Sequence, residues 1–148
     1  MSELHAALGI VQLRKFKFFL SKRSINFRYL EKKLKYIKEI SVIPNFNKNL
    51  KGSYYCLSIM LSNKILKKRF DIIKYLKEKG IGSSIYYPHP VPRLKYYQKK
   101  YRINKKNFII ASEFSDKIIC LPIGPHVSKN NLDLIASSLK KIILKYSD

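Results

Sequence analysis

The chain has 148 residues, the size of one domain with a single core, and its 46% hydrophobic content sets it apart from a disordered polypeptide. Its formal charge of +22 points first to polyanions. However, 25 of the 31 basic residues are Lys, only six are Arg, and they are scattered along the chain, which argues against the clustered, bidentate recognition that specific nucleic-acid binding uses.

No run of 18 apolar residues occurs, so no membrane segment is expected. The opening MSELHAALGIVQLRKF also lacks the basic region and cleavage site of a signal peptide, which makes a cytoplasmic location the expectation.

Residues 2–38 carry the longest helical pattern, with Ser2 placed as an N-cap. Leu4, Leu8 and Val11 form one apolar series. Leu13, Phe16, Leu20, Phe27, Leu30, Leu34 and Ile37 form a second one out of phase with it, with Arg23 in its one polar register position. The phase change predicts a kink or break near residues 10–13 or 22–25. Pro44 ends the helical region, and residues 45–51 read as a polar turn.

Residues 53–61 (SYYCLSIML) have strand composition, and residues 64–79 read as a helix closed by Gly80 at its C′ position. Residues 81–87 are expected as a second strand, stopped by Pro88, before the loop PHPVP over 88–92. Short helices are expected over 93–101, with Tyr96, Tyr97 and Tyr101 facing a partner or folded onto the loop, and over 107–115. A third strand is expected over 118–123, and Ser128 caps a last helix carrying Leu132, Ile135, Leu139 and Ile142. The order implies an α/β or α+β layer in which helices cover a small three-stranded sheet, a core thin enough to lean on a further segment.

Catalytic constellations are sparse. The glycines stand at 9, 52, 80, 82 and 124 and build no phosphate loop, and the nine acidic residues are dispersed. Cys56 and Cys120 have no CxxC spacing and read as two buried free thiols rather than a zinc site, so no metal is expected. His5 lies in the first helical turns and reads as packing or surface. His126, after Gly124-Pro125, reads as packing.

The segment Tyr86-Tyr87-Pro88-His89-Pro90 is different, because prolines fix it at the end of an expected strand. Tyr87 and His89 could hydrogen-bond a hydroxylated ligand, and Arg93 could pair a phosphate. A rigid turn with aromatic packing accounts for the same residues.

Three segments together resemble the DegT/DnrJ/StrS family of sugar aminotransferases. SELHAALGIVQL is similar to the family's R-M-x-E-L-Q-A-A-L-G-x-x-Q-L helix start, with His5 in place of the usual Gln. GIGSSIYYPHPVP is similar to its G-I-x-x-x-x-H/Y-Y-P-x-P strand and loop, and IICLPIGPHVSKNNL to its L-x-L-P-x-x-P-x-L-T strand and last helix.

The resemblance implies the small C-terminal domain of a fold-type I aminotransferase, with residues 1–40 as the long interdomain helix region and 41–148 as the small α/β domain. It implies pyridoxal phosphate as the cofactor of the complete enzyme, a keto-sugar nucleotide as its substrate and a homodimer as its assembly. Tyr87, Pro88 and His89 match the loop that lines the sugar-nucleotide side of the site, while the family often has a histidine at the place of Arg93. The family's S-F-x-x-x-K lysine and D-x-A-Q/H aspartate have no counterpart in this chain. The expectation is therefore a C-terminal fragment without catalytic or cofactor-binding residues, binding no cofactor and inactive alone, which Met1 would start at an internal methionine. A stand-alone basic module for nucleic acid or an anionic polymer is the alternative. A split enzyme, completed by a separate large domain, is a third reading.

Overall fold

The computed structural model describes residues 1–44, 52–104 and 107–147; the polar turn expected over 45–51 lies outside the described residues. The first element, α1, is a single helix over Glu3–Leu34, entered through Ser2, whose hydroxyl accepts from the His5 backbone N–H. The predicted kink is absent. The phase change between the two apolar series turns the apolar stripe around an unbroken helix and does not interrupt it. The C-terminal half of α1 enters the core through Phe27, Leu30 and Leu34, all 0–1% exposed, whereas Leu4, Leu8, Leu13, Phe16 and Phe18 remain open.

Three short strands follow as one antiparallel sheet in the order β1-β2-β3: β1 is Ile40–Val42, β2 is Leu57–Leu61 and β3 is Ile118–Leu121. Ile40 pairs Leu61, and Ser58 pairs Cys120. The count of three strands matches the expectation, but one strand is different. Residues 81–87 contribute only a bridge between Ser84 and Cys120, with N···O distances of 3.0 and 2.8 Å. Gly82, Ser83 and Pro88 supply few groups suited to a longer ladder. The third strand is β1, whose three residues are too short to stand out as a pattern in sequence.

Alternation on β2 sets the inside. Leu57, Ile59 and Leu61 are buried, while Ser58 and Met60 between them are half-buried. The buried face meets α2 (Arg69–Glu78), α5 (Lys129–Ser147) and the second half of α1 in one hydrophobic cluster. Here α2 is preceded by a tight turn at Leu66–Lys68 and followed by Gly80 at φ 73°, the left-handed position a glycine takes most easily. On α5, the predicted stripe of Leu132, Ile135, Leu139 and Ile142 is buried, and Ser128 accepts from the Asn131 N–H at 3.2 Å.

Two further helices, α3 (Lys95–Tyr101) and α4 (Ile109–Lys117), lie within one or two residues of their expected spans. No helix among the described residues is long and apolar enough to cross a membrane.

Candidate functional site

The segment leaving α2 runs along the outer edge of β3, bridges it once at Ser84, and then forms the proline-bounded loop that ends in a tight turn over Val91–Arg93. Its position is set from the C-terminal end of α4. Arg93 donates Nη1 and Nη2 to the two carboxylate oxygens of Asp116 at 2.7 and 2.9 Å. One residue earlier, the Ser115 hydroxyl donates to the Tyr87 carbonyl at 2.6 Å. The loop is thus held at both ends by adjacent residues of one helix.

That helix end is itself anchored by Arg69, which is 7% exposed and donates Nη1 to the carbonyls of Ser115 and Asp116. A guanidinium there satisfies carbonyls that the helix leaves unpaired and meets the negative end of its dipole. Burial pulls the Arg69 guanidinium down from its ordinary value against the favourable field of Asp116. The Arg93 guanidinium holds the Asp116 carboxyl below the usual carboxylate range and is itself raised by that partner; His89 adds a smaller favourable field at Asp116.

The three sequence-predicted ligand residues are placed unequally. His89 and Arg93 line a common cavity of about 720 Å³ together with Asn63, Gln98, Ser112 and Asp116. Tyr87 does not line it; its ring is 74% exposed and stands edge-on to Tyr86, with ring centroids 5.9 Å apart. Tyr86 in turn meets Tyr55, with hydroxyls 3.4 Å apart, and that contact raises the Tyr55 phenol above its ordinary value. Arg93 is not a free phosphate ligand in this arrangement, because both of its terminal nitrogens are committed to Asp116. On α3, Tyr96 and Tyr101 are exposed, while Tyr97 is half-buried and stacks on Tyr101.

Several positioning residues escape a reading of the sequence. Asn26, in the buried stripe of α1, directs its side-chain amide at the carbonyls of Ile123, Gly124 and Val127, at 3.4, 2.9 and 3.1 Å. The loop after β3 is thereby tied to the long helix. His126 in that loop folds over Gly124, where a Cβ would lie 2.6 Å from the ring, so a larger residue there would require the imidazole to move.

Asp116 lies 23 residues from Arg93 and Asn26 lies 98 from Gly124, too far for local spacing to pair them. Two signals are present nonetheless. Asn26 is an amide within an apolar stripe, and Arg69 and Arg93 are two of only six arginines in a chain that mostly uses Lys. Among the described residues, no group of three or more His, Cys, Asp or Glu side chains could hold a metal ion.

Residues 1–140 match the model of the DegT/DnrJ/EryC1/StrS aminotransferase family. The chain belongs to this family. It is 31% identical over 144 residues to the dTDP-4-amino-4,6-dideoxy-D-glucose transaminase of Shigella dysenteriae, an alignment covering 96% of this chain and 38% of the relative. The Escherichia coli transaminase of the same name is 32% identical over 124 residues, covering 83% and 33% of the two chains.

The fold agrees. The sugar aminotransferase Spr1654 of Streptococcus pneumoniae, solved in PLP and PMP forms, superposes with a TM-score of 0.89 at 24% identity over 99% of this chain and 36% of its own. Helicobacter pylori PseC, an aminotransferase of pseudoaminic acid biosynthesis, gives 0.87 at 22% identity over 98% and 38%. The chain therefore spans a little over a third of the length of the relatives it matches. The small helix-covered sheet expected from the sequence is the corresponding part of these enzymes.

The family is dependent on pyridoxal phosphate. The described residues do not fit a complete cradle for that cofactor. A Schiff-base lysine is made nucleophilic by enclosure or a neighbouring cation, and no described Lys is fully buried. Lys117, the most enclosed of those in ion pairs, is paired with Glu113.

Proposed function

We propose that this chain serves as the C-terminal part of a PLP-dependent aminotransferase that acts on a keto-sugar nucleotide. Residues 1–40 act in this reading as the interdomain helix region and residues 41–148 as the small domain. The observation that carries the reading is the clamped loop: the Tyr87 carbonyl and the Arg93 guanidinium are both fixed from α4, so Tyr87 and His89 are presented to the outside on a rigid support. Fixed aromatic and imidazole groups suit the binding and orientation of a hydroxylated ligand, and preorganisation lowers the entropic cost of binding it. In this role Arg93 orients the loop rather than touching substrate.

When bound, the cofactor supplies the electron sink for amino transfer. The lysine and aspartate that hold it come in this reading from a large domain, and the complete enzyme is a cytoplasmic homodimer. The open apolar first half of α1, from Leu4 to Phe18, supports cover by such a domain.

The test is to assay the longest polypeptide encoded in frame with this chain, with pyridoxal phosphate, glutamate and a dTDP-linked keto-sugar, reading the amino-sugar product by mass spectrometry. Replacement of His89 by Ala or of Tyr87 by Phe is expected to lower turnover of the sugar while leaving cofactor absorbance in place. Unchanged turnover in both variants would contradict the assignment of the loop.

The net charge of +22 supports a second reading as a basic module for nucleic acid or anionic polymer. That reading requires binding which weakens steeply with salt, and a polyanion titration at two ionic strengths separates the two.

A further inference from the structure

We propose that Cys56 and Cys120 form an oxidisable dithiol, a modification site in which Cys120 attacks a peroxide-class oxidant and Cys56 resolves the product to an intramolecular disulfide.

The register of the sheet creates the pair. Cys120 lies opposite Ser58, and Cys56, two residues before Ser58, falls on the same face. The Ser58 hydroxyl stands between the sulfurs, 3.5 Å from Cys56 Sγ and 3.4 Å from Cys120 Sγ. Diagonal residues in paired strands have Cα atoms about 7–8 Å apart, wider than the roughly 4.4–6.8 Å of a disulfide. Cys56, however, sits one residue ahead of β2, outside the paired ladder, so closing that gap breaks no pair of the sheet.

Both cysteines line a pocket of about 230 Å³ that also includes Arg23 from α1, Tyr55, Tyr86 and His126. A peroxide, little larger than water, can enter such a pocket although Cys120 is only 3% exposed. The Arg23 Nε–H is enclosed and has no hydrogen-bond partner, and Arg23 lines the same pocket.

The two thiols are unequal in a way that suits these roles. The neighbouring Cys56 thiol, and further Ser58 and the Tyr86 backbone, hold the Cys120 thiol below its ordinary value. The same contact and burial push the Cys56 thiol well up. A thiolate beside a protonated thiol is the arrangement of a nucleophile and its resolving partner.

In the first step the Cys120 thiolate forms a bond to one peroxide oxygen, the O–O bond breaks, and hydroxide leaves, giving a sulfenic acid. In the second, the Cys56 sulfur bonds to Cys120, the S–O bond breaks, and the Cys56 proton departs with hydroxide as water. The two thiols lose two electrons and the peroxide gains them; a dithiol reductant reverses the change. The Cys120 backbone exchanges two hydrogen bonds with Ser84, on the segment that leads into the Tyr87–His89 loop, and the proposal does not rest on the function proposed for that loop.

The experiment is to treat the whole chain with hydrogen peroxide at neutral pH, alkylate the remaining thiols, and map the peptides by mass spectrometry. The expected result is loss of two hydrogens, one Cys56–Cys120 linked peptide, and reversal by dithiothreitol. Cys56→Ser is expected to stop at a sulfenic acid on Cys120 that dimedone traps. In Cys120→Ser, oxidation of the remaining thiol should slow roughly tenfold or more. Wild-type chain that keeps both thiols alkylatable, forms disulfides only between chains, or oxidises first at Cys56 overturns the proposal. The wild-type peptide map distinguishes these outcomes whether or not either variant folds.

Discussion

The two halves of α1 share one helix and much the same composition, yet they stand in opposite environments. Phe27, Leu30 and Leu34 are sealed against the sheet and α5, and Tyr29 and Lys33 reach Asp133 on α5 at 2.8 and 2.6 Å. In the first half, Leu4 is 80% exposed and Leu13 72%. Helical periodicity identifies residues that require cover, but it does not say whether the same chain provides it. The difference teaches that α1 belongs to this domain at one end and presents an apolar surface at the other.

The largest expected effect breaks the covered half. Leu30→Ala removes a fully buried side chain and should destabilise the chain by about 2–5 kcal/mol in urea unfolding. The same substitution at Leu4 should stay within about 0.5 kcal/mol, because that side chain loses no internal packing. Equal costs at the two sites would erase the distinction between the halves.

Next in size is Asn26→Leu, which deprives the carbonyls of Ile123, Gly124 and Val127 of their shared donor and should cost about 1–3 kcal/mol. Faster amide exchange through residues 123–127 would locate the damage to the tied loop.

Smaller still is Asp116→Asn. The ion pair with Arg93 is more than a third exposed, so its contribution should be no more than about 1 kcal/mol. Its pH dependence is more diagnostic than its size. The folded Asp116 carboxyl lies below its ordinary value of 3.8, so its stabilisation is present above that pH and lost as pH falls through the folded value. The Asn variant should lack this acid-side component, and a difference between the two proteins that is constant across that window would show that the pair does not hold the loop through charge.

The smallest effect on stability should come from the open half. Leu8→Ser with Phe16→Ser should barely change the unfolding midpoint but should reduce self-association in sedimentation, since both residues are more than half exposed. Unchanged association would indicate that this surface is not what drives contact between chains.

Local chemistry makes much of the fold legible. The stripe and Ser128 cap of α5, Gly80 after α2, and the apolar runs that become β2 and β3 each carry their signal within a few residues. Three features do not. The strand Ile40–Val42 is defined by its partner, not by its own pattern. The phase change in α1 suggests a break only if the whole helix must face one surface, and this helix does not.

The third is the support of the candidate loop, which depends on Asp116, Ser115 and Arg69, and the fold alone brings them together. Tyr87, His89 and Arg93 are visible in the sequence because prolines mark their loop; the division of labour that leaves Arg93 bound to Asp116 is not. In a chain this rich in lysine, the arginines that remain are a useful guide, since Arg93 makes a two-point contact that an ammonium would not reproduce and Arg69 reaches two carbonyls from a buried position.

Residue-resolved hydrogen exchange along α1 tests the central claim most directly. In the 148-residue chain, amides of residues 26–34 should exchange only with global unfolding, and those of residues 4–18 should exchange orders of magnitude faster through local opening. In the longest polypeptide encoded in frame, the first half should gain protection when a large domain covers it. Uniformly slow exchange along the whole helix in the 148-residue chain would mean that its apolar first half needs no further cover, and the account of α1 as an interdomain element would fail.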